Sequence, residues 1–235
     1  ILKEIKEKEI QFVDFRFTDP RGKWQHTCFI SSKVDEGTFE DGVMFDGSSI
    51  AGWKSINESD MILMPDTSTA FIDPFAAHPT MVLFCDIIEP DTGSGYGRDP
   101  RSTARRAENY LKYTGIGDTA YFGPELEFFI FEDVRHKSDS TESFYSIDSE
   151  ELPANTSRDY PAGNLGHRPR AKGGYFPVQP VDSLADLRSE MLLTLGDVGI
   201  TPVLHHHEVA PSQNEMGFDF STLLGTADNV QKYKY

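Results

Sequence analysis

The sequence predicts an α+β protein divided into two domains, residues 1–97 and 98–235. Three observations carry this. Short runs rich in Val, Ile and Phe recur at strand length, the clearest being TMVLFCDIIEP (Thr80–Pro90) and FGPELEFFIF (Phe122–Phe131). Two segments, Pro100–Thr114 and Ser183–Val198, have instead the length and punctuation of helices. Between the early strands and the first long helix lies DTGSGYGRDP (Asp91–Pro100), whose small residues and turn formers mark a domain boundary.

In chain order, residues 2–8 suit a short polar helix. Two strand-like runs then flank Asp19-Pro20-Arg21-Gly22, a turn signal with Pro and Gly suitably placed. In the first run Val13, Phe15 and Phe17 share one face, with Asp14 and Arg16 on the other. The stretch from Gly37 to Asp66 is rich in Gly, Ser, Asp and Asn, and reads as a long functional loop. Thr80–Pro90 is a buried strand. Pro100 starts a helix that Gly115 stops. The apolar FGPELEFFIF is a second buried strand, and residues 135–170 form a polar excursion. AKGGYFPVQP (Ala171–Pro180) gives a turn and a short strand. In the helix 183–198, Ser183 and Asp186 resemble a capping box, and Leu184, Leu187, Met191, Leu192 and Leu195 form an apolar stripe. Thr201–Ala210 is a strand and Thr226–Tyr235 a helix. The chain stops at NVQKYKY within this helical pattern and without a C-cap signal, which predicts a fold that continues.

With 235 residues the chain can bury a core without help from disulfides or metals. Cys28 and Cys85 sit apart in apolar runs and are expected to be reduced core residues, consistent with a cytoplasmic location. The N-terminus is too charged for a signal peptide, and no apolar run approaches a membrane span of about 20 residues. A net charge of −16 argues against nucleic acid and anionic membrane surfaces as partners. It fits a well-solvated surface, or carboxylates that hold cations.

The carboxylates give the second reading its substance. Residues i and i+2 of a strand share a face, so Glu125 and Glu127 point the same way, roughly 7 Å apart. In LHHHEVAPSQNEM, alternation from Leu204 puts His206 and Glu208 on one face and His205 and His207 on the other. The turn-like Pro211–Asn214 brings Glu215 back towards Glu208. Unpaired buried carboxylates would protonate, whereas divalent cations keep them ionised, and hard oxygen ligands suit Mg²⁺ or Mn²⁺ better than zinc. The three consecutive histidines cannot all face one ion and are expected to be satisfied within the core or behind the ligands. DGSSIAGW and KGGYFP are rich in Gly but lack the spacing of a phosphate-binding loop.

Taken together, MFDGSSIAGWKSINESDMILMPD, FGPELEFFIFED, KGGYFPVQPVDS, RSEMLL and HHHEVAPSQNE resemble the bacterial class I glutamine synthetases, in order and with near-family spacing from about Phe12 to Tyr235. The wording around SSIAGW and NEMGFDF is most similar to the cyanobacterial type. The resemblance implies a small N-terminal β-grasp domain (1–97) and the first part of a catalytic domain (98–235) built on an antiparallel sheet. It implies ATP-dependent ligation of ammonium to L-glutamate through γ-glutamyl phosphate, with two Mg²⁺ or Mn²⁺ ions. Phosphoryl transfer needs alignment and charge neutralisation more than covalent help, and an acidic cradle with two cations supplies both.

Residue by residue, the resemblance makes Glu127, Glu208 and Glu215 ligands of the ion nearer glutamate, and Glu125 a ligand of the ion beside the ATP phosphates. It makes Asp46 the carboxylate that attracts ammonium and takes its proton, with Ser49 and Tyr175 beside that pocket. Phe218, Asp219 and Phe220 lie along the adenosine. Asp46 and Trp53 reach the neighbouring subunit's site in a dodecamer of two stacked hexameric rings. On the residues alone, Asp46 is an Asx-turn former, Trp53 and Tyr175 are loop anchors, and Phe218 and Phe220 are strand core.

The chain departs from the family at Ser212, where a glycine is usual, and at Val203, where some relatives have a glutamate. It is also roughly half the family's length, so the remaining second-ion ligands and the substrate-gripping arginines are expected elsewhere. The alternatives are a glutamate–amine ligase of the same superfamily, against which the FDGSS motif and Trp53 argue, and a short non-catalytic homologue that joins or regulates an assembly.

Overall fold

The structure, a computed structural model, describes residues 1–152 and 167–235. Two compact units are formed: Ile1–Gly123 with Asp197–Ile200 and Phe220–Tyr235, and Pro124–Gly196 with Thr201–Asp219.

The first unit begins with helix α1 (Leu2–Glu7) and is built on five strands: β1 (Phe12–Thr18), β2 (Trp24–Ile30), β3 (Val43–Asp46), β4 (Asp60–Ile72) and β5 (Thr80–Ile88). Their order is β2-β1-β5-β4-β3, with β1 and β5 parallel and the other pairs antiparallel. Val13, Phe15, Met61, Leu63, Met81, Leu83 and Ile87 are almost wholly buried and make up the core. Burying a side chain of this size contributes about 1.5–3 kcal/mol.

The expected loop from Gly37 to Asp66 is corrected here. It holds helix α2 (Glu36–Glu40), strand β3 and the start of β4. Its Gly and Ser residues serve two short 3₁₀ turns, whereas Met61 and Leu63 alternate into the core and bind the segment to the sheet. Cys28 is also corrected: it lies exposed on β2 at the edge of the sheet, while Cys85 is buried as expected. The face of β1 opposite the core is not solvated either. Arg16 is buried there between Asp14 and Asp73, donating to each at 2.7 Å, and Tyr235 donates to Asp73 at 2.8 Å.

Helix α3 (Pro100–Thr114) runs as expected, with Asp99 as N-cap and Gly115 at φ +69° ending it in the left-handed conformation that glycine tolerates. Strands β6 (Tyr121–Phe122) and β12 (Ser221–Thr222) pair, and helix α5 (Leu223–Lys234) follows. Arg101 of α3 is buried and donates to Asp86 at 2.6 Å, Asp66 at 2.8 Å and Asp228 of α5 at 3.0 and 2.9 Å. Burial alone would raise the Asp66 pKa. Hydrogen bonds from Ser68 and Arg101 outweigh it and hold the group at about 2.

A carboxylate whose pKa is depressed on folding stabilises above its unfolded value and loses that contribution as pH falls through its folded one. The Asp66 contribution, about 2 kcal/mol, is therefore present above pH ~4 and lost towards pH ~2. Both tryptophans, Trp24 and Trp53, lie in this unit, so their fluorescence in urea reports its unfolding. Asp66→Asn is expected to flatten the stability profile between these pH values; an unchanged profile counts against the linkage.

The second unit contains β7 (Leu126–Phe129), the hairpin β8 (Asp133–Ser138) and β9 (Ser143–Asp148), helix α4 (Ala185–Asp197), β10 (Pro202–His207) and β11 (Gln213–Phe218). The polar excursion expected from residue 135 thus starts as an ordered hairpin; its central part, 153–166, lies outside the described residues. Residues 171–180 form turns and no strand. The sequence reading missed β11 because its turn residues and Asn214 masked a strand held by pairing on both sides.

Candidate metal centre

Strands β10, β11 and β7 make one antiparallel sheet in that order. Its register sets His206 opposite Glu215, and Glu215 opposite Glu127, so all three share a face. Glu208, two residues beyond His206, returns to the same side. His206 Nδ1 lies 3.7 Å from a Glu208 oxygen, and its Nε2 lies 3.4 Å from a Glu215 oxygen. One ligand atom from each of His206, Glu208 and Glu215 falls within 4.8 Å of the others, a grouping that one small cation can bridge. Oxygen-rich donors with a single imidazole suit Mg²⁺ or Mn²⁺.

The electrostatics agree. The Glu215 pKa is raised, first by burial and then by the nearby carboxylates of Glu208, Glu125 and Glu127, against the opposing pull of His206. Four carboxylates of one sign thus bear on one region, a load that a divalent cation relieves. The Glu127 carboxylate itself accepts from Gln213 Nε2 at 2.5 Å. Glu125 is exposed just ahead of β7.

Two expectations change. FGPELEFFIF is not a buried strand: β7 is an edge strand among the described residues, with Glu125, Glu127 and Phe129 exposed and Leu126 and Phe128 partly covered. His206, expected to be satisfied within the core or behind the ligands, faces the carboxylates themselves. The signal was present in the alternation that set it beside Glu208.

The other two histidines behave as expected. His205 accepts from Arg188 Nε at 3.3 Å and meets the Ser189 hydroxyl at 2.9 Å. Burial, then Arg188, lowers its pKa. Arg188 is fully buried and also donates to Asn214 at 2.7 Å and to Asp182. His207 is buried on the same far side, with Nε2 2.8 Å from Glu151 and Nδ1 2.5 Å from the Glu208 carbonyl. The bond that His207 donates to the Glu151 carboxylate is the chief cause of its raised pKa. A carboxylate and a carbonyl both accept, so both ring nitrogens donate.

The KGGYFP segment closes over β10. Gly174 approaches so tightly that a Cβ there would sit 2.7 Å from the Glu208 and Val209 carbonyls. This places Tyr175 and Phe176 beside His206. Their rings stack at 3.9 Å and present edges to its imidazole, with centroids 5.4 and 4.6 Å away. Phe176 adopts φ +59°, a conformation that costs a bulky residue about 1–3 kcal/mol.

Asp46, Ser49 and Trp53 belong to the first unit. Asp46 is exposed and accepts from the Ser48 hydroxyl at 2.6 Å and amide at 2.9 Å, and from the Ser49 hydroxyl at 2.8 Å. These bonds, Ser48 first, lower its pKa and keep it ionised. Trp53 is core, not surface: it is buried against Phe17, Phe45 and Tyr96. Phe45 precedes Asp46, so Trp53 supports the loop from beneath. Phe218 is buried at the end of β11, and the Asp219 amide donates to the Thr201 carbonyl at 3.0 Å. Phe220 is exposed in the first unit, edge-on to Tyr121.

Comparison with known proteins gives consistent findings. Residues 9–90 match the glutamine synthetase β-grasp domain and residues 97–235 the glutamine synthetase catalytic domain. The chain is 60% identical, over all of its length and 50% of the relative's, to a glutamine synthetase of Rhizobium meliloti (strain 1021). It is 56% identical, with the same coverage, to a protein of Cupriavidus pinatubonensis named 3-hydroxylaminophenol mutase. A solved cryo-EM structure of Plasmodium falciparum glutamine synthetase superposes with a TM-score of 0.86 at 26% identity, covering 99% of this chain and 46% of that one. The chain spans about half the length of the curated relatives it matches. Among the described residues no helix is long and apolar enough to cross a membrane.

Proposed function

The chain belongs to the glutamine synthetase family, and from that premise we propose that the protein carrying it joins ammonium to L-glutamate, using ATP and passing through γ-glutamyl phosphate. The observation that carries the reading is the convergence of His206, Glu208 and Glu215 within 4.8 Å, on one sheet face with Glu127. In this reading Glu127, Glu208 and Glu215 hold the ion nearer glutamate, His206 joins them, and Glu125 serves a second ion beside ATP. The ions, Mg²⁺ or Mn²⁺, supply the charge neutralisation that lets two anionic substrates meet. Residues 1–97 form the β-grasp domain and 98–235 contribute to the catalytic domain. Tyr175, beside His206, lies at the ammonium pocket, which Asp46 and Ser49 of a neighbouring subunit complete. Phe218, Asp219 and Phe220 lie along the adenosine. Trp53 supports the Asp46 loop at the neighbouring subunit's site in a cytoplasmic dodecamer.

Asp46 is suited to ammonium: it is anionic, pre-oriented by two hydroxyls, and able to accept a proton as the nucleophile forms. Asp46→Asn is expected to lower kcat/KM for ammonium roughly 10²-fold or more, while glutamate-dependent ADP formation persists. An unaltered ammonium dependence removes the proton-acceptor role.

A relative named as a mutase at 56% identity shows that resemblance alone does not fix the substrate. The test is therefore chemical. ¹⁵N-ammonium, glutamate, ATP and Mg²⁺ or Mn²⁺ should give glutamine labelled in the amide, and omission of ATP should abolish it. Turnover of bulkier amines with no turnover of ammonium supports the glutamate–amine ligase instead.

A further inference from the structure

The structure assigns Glu151 a positioning role: its carboxylate spans the two arms of the turn that carries the cation ligands and fixes their separation. This rests on the reading of His206, Glu208 and Glu215 as cation ligands. None of the sequence motifs includes Glu151, and its hydrogen bonds go to His207 and Ser212 and not to the ligand carboxylates.

Glu151 follows β9 and is only 2% exposed. One oxygen, Oε2, accepts from two donors on opposite arms of the β10–β11 connection. On the β10 arm it takes His207 Nε2 at 2.8 Å. On the β11 arm it takes the backbone amide of Ser212. Both partners are themselves buried, at 2% and 0% exposure. His207 lies between His206 and Glu208, and its other nitrogen bonds the Glu208 carbonyl at 2.5 Å. Ser212 lies three residues before Glu215. A single buried atom therefore ties the backbone flanking two ligands to the backbone leading to the third.

Ser212 shows why the corner needs holding. It adopts φ +63°, a left-handed conformation that disfavours a residue other than glycine. Its amide is held by Glu151, its hydroxyl meets Ser149, and its carbonyl accepts from Asn214 Nδ2 at 2.8 Å and the Ile130 amide at 3.1 Å. Every polar group of the strained residue is thus engaged. The other Glu151 oxygen, Oε1, is buried with no hydrogen-bond partner among the described residues. Leaving such an atom unpaired is costly. An apolar residue here would leave the buried His207 and Ser212 donors unpaired; one carboxylate oxygen satisfies both and ties the two arms together.

Cation sites need ligands held within about 0.5 Å, and loss of a group that orients a ligand typically weakens affinity 10–100-fold. Mn²⁺ affinity is measured by titration in the protein carrying this chain, for wild type, Glu151→Gln, Glu151→Ala and Glu208→Gln, below the melting temperature of each. Glu151→Gln keeps the size of the side chain and decides the matter if the alanine variant does not fold. It is expected to bind Mn²⁺ at least tenfold more weakly. Adding Ser212→Gly, which relieves the strained corner, should recover part of that loss; a residue that acts only on global stability would not be rescued in affinity this way. Mn²⁺ affinity within threefold of wild type in Glu151→Gln, with Glu208→Gln impaired, overturns the positioning role alone. Unchanged affinity in Glu208→Gln overturns the cation site on which it rests.

Discussion

Glu208→Gln and Glu215→Gln are each expected to weaken Mn²⁺ binding at least a hundredfold and to abolish turnover. The two residues lie on different strands and converge only through the β10–β11 pairing. In the proposed site each would supply a full negative charge to one ion. An amide keeps the shape and the donor oxygen but not the charge, and the ion's contribution to transition-state neutralisation is worth several kcal/mol; about 3 kcal/mol is already a hundredfold. The substitution also relieves repulsion among the clustered carboxylates, which, after burial, raises the Glu215 pKa. The cation-free variants should therefore be as stable as wild type or slightly more so. Lost affinity with retained stability distinguishes a ligand from a structural carboxylate. Melting curves with and without Mn²⁺ read both, and a variant that keeps its Mn²⁺-induced shift excludes that residue as a ligand.

Arg101→Met is expected to destabilise the first unit by about 3–5 kcal/mol. The guanidinium is buried and faces Asp66, Asp86 and Asp228 at 2.6–3.0 Å. Methionine matches much of its volume but leaves these acids without their shared cation. Arg105 still reaches Asp66 and Asp86, so the uncompensated charge falls on Asp228, whose pKa burial already raises. Asp228→Asn in the same background should recover a large part of the loss. Tryptophan fluorescence in urea measures both. A loss below 1 kcal/mol for the single change, or no recovery in the double, contradicts this account of the network.

Local chemistry explains what was legible in the sequence. Helix α3 was bounded correctly because Pro100 and Gly115 punctuate it. Glu208 and His206 were put on one face by strand alternation alone. What was missed depends on partners distant in the chain. β3 and the start of β4 looked like loop because Gly, Ser and Asp punctuate the stretch around them without a clear apolar period; strand pairing and the buried Met61 and Leu63 bind them to the sheet. The strand carrying Glu125 and Glu127 looked buried because its phenylalanines are dense, yet Phe129 stacks on Phe131 at the exposed face of an edge strand. Ser212 was legible only as a departure from a usual glycine; its left-handed backbone and the Glu151 carboxylate that holds it required the fold. Trp53, a loop anchor on the residues alone, is buried because Phe17 and Tyr96, distant in the chain, enclose it together with Phe45.

The central claim is that this acidic sheet face serves phosphoryl transfer to the side-chain carboxylate of glutamate. It is tested most directly by glutamate labelled with ¹⁸O in the γ-carboxylate, turned over with ATP, ammonium and Mn²⁺, with the released phosphate analysed by mass. The prediction is one ¹⁸O atom in each phosphate, dependent on Mn²⁺ and lost in Glu215→Gln. Phosphate free of ¹⁸O while labelled glutamine accumulates would contradict it.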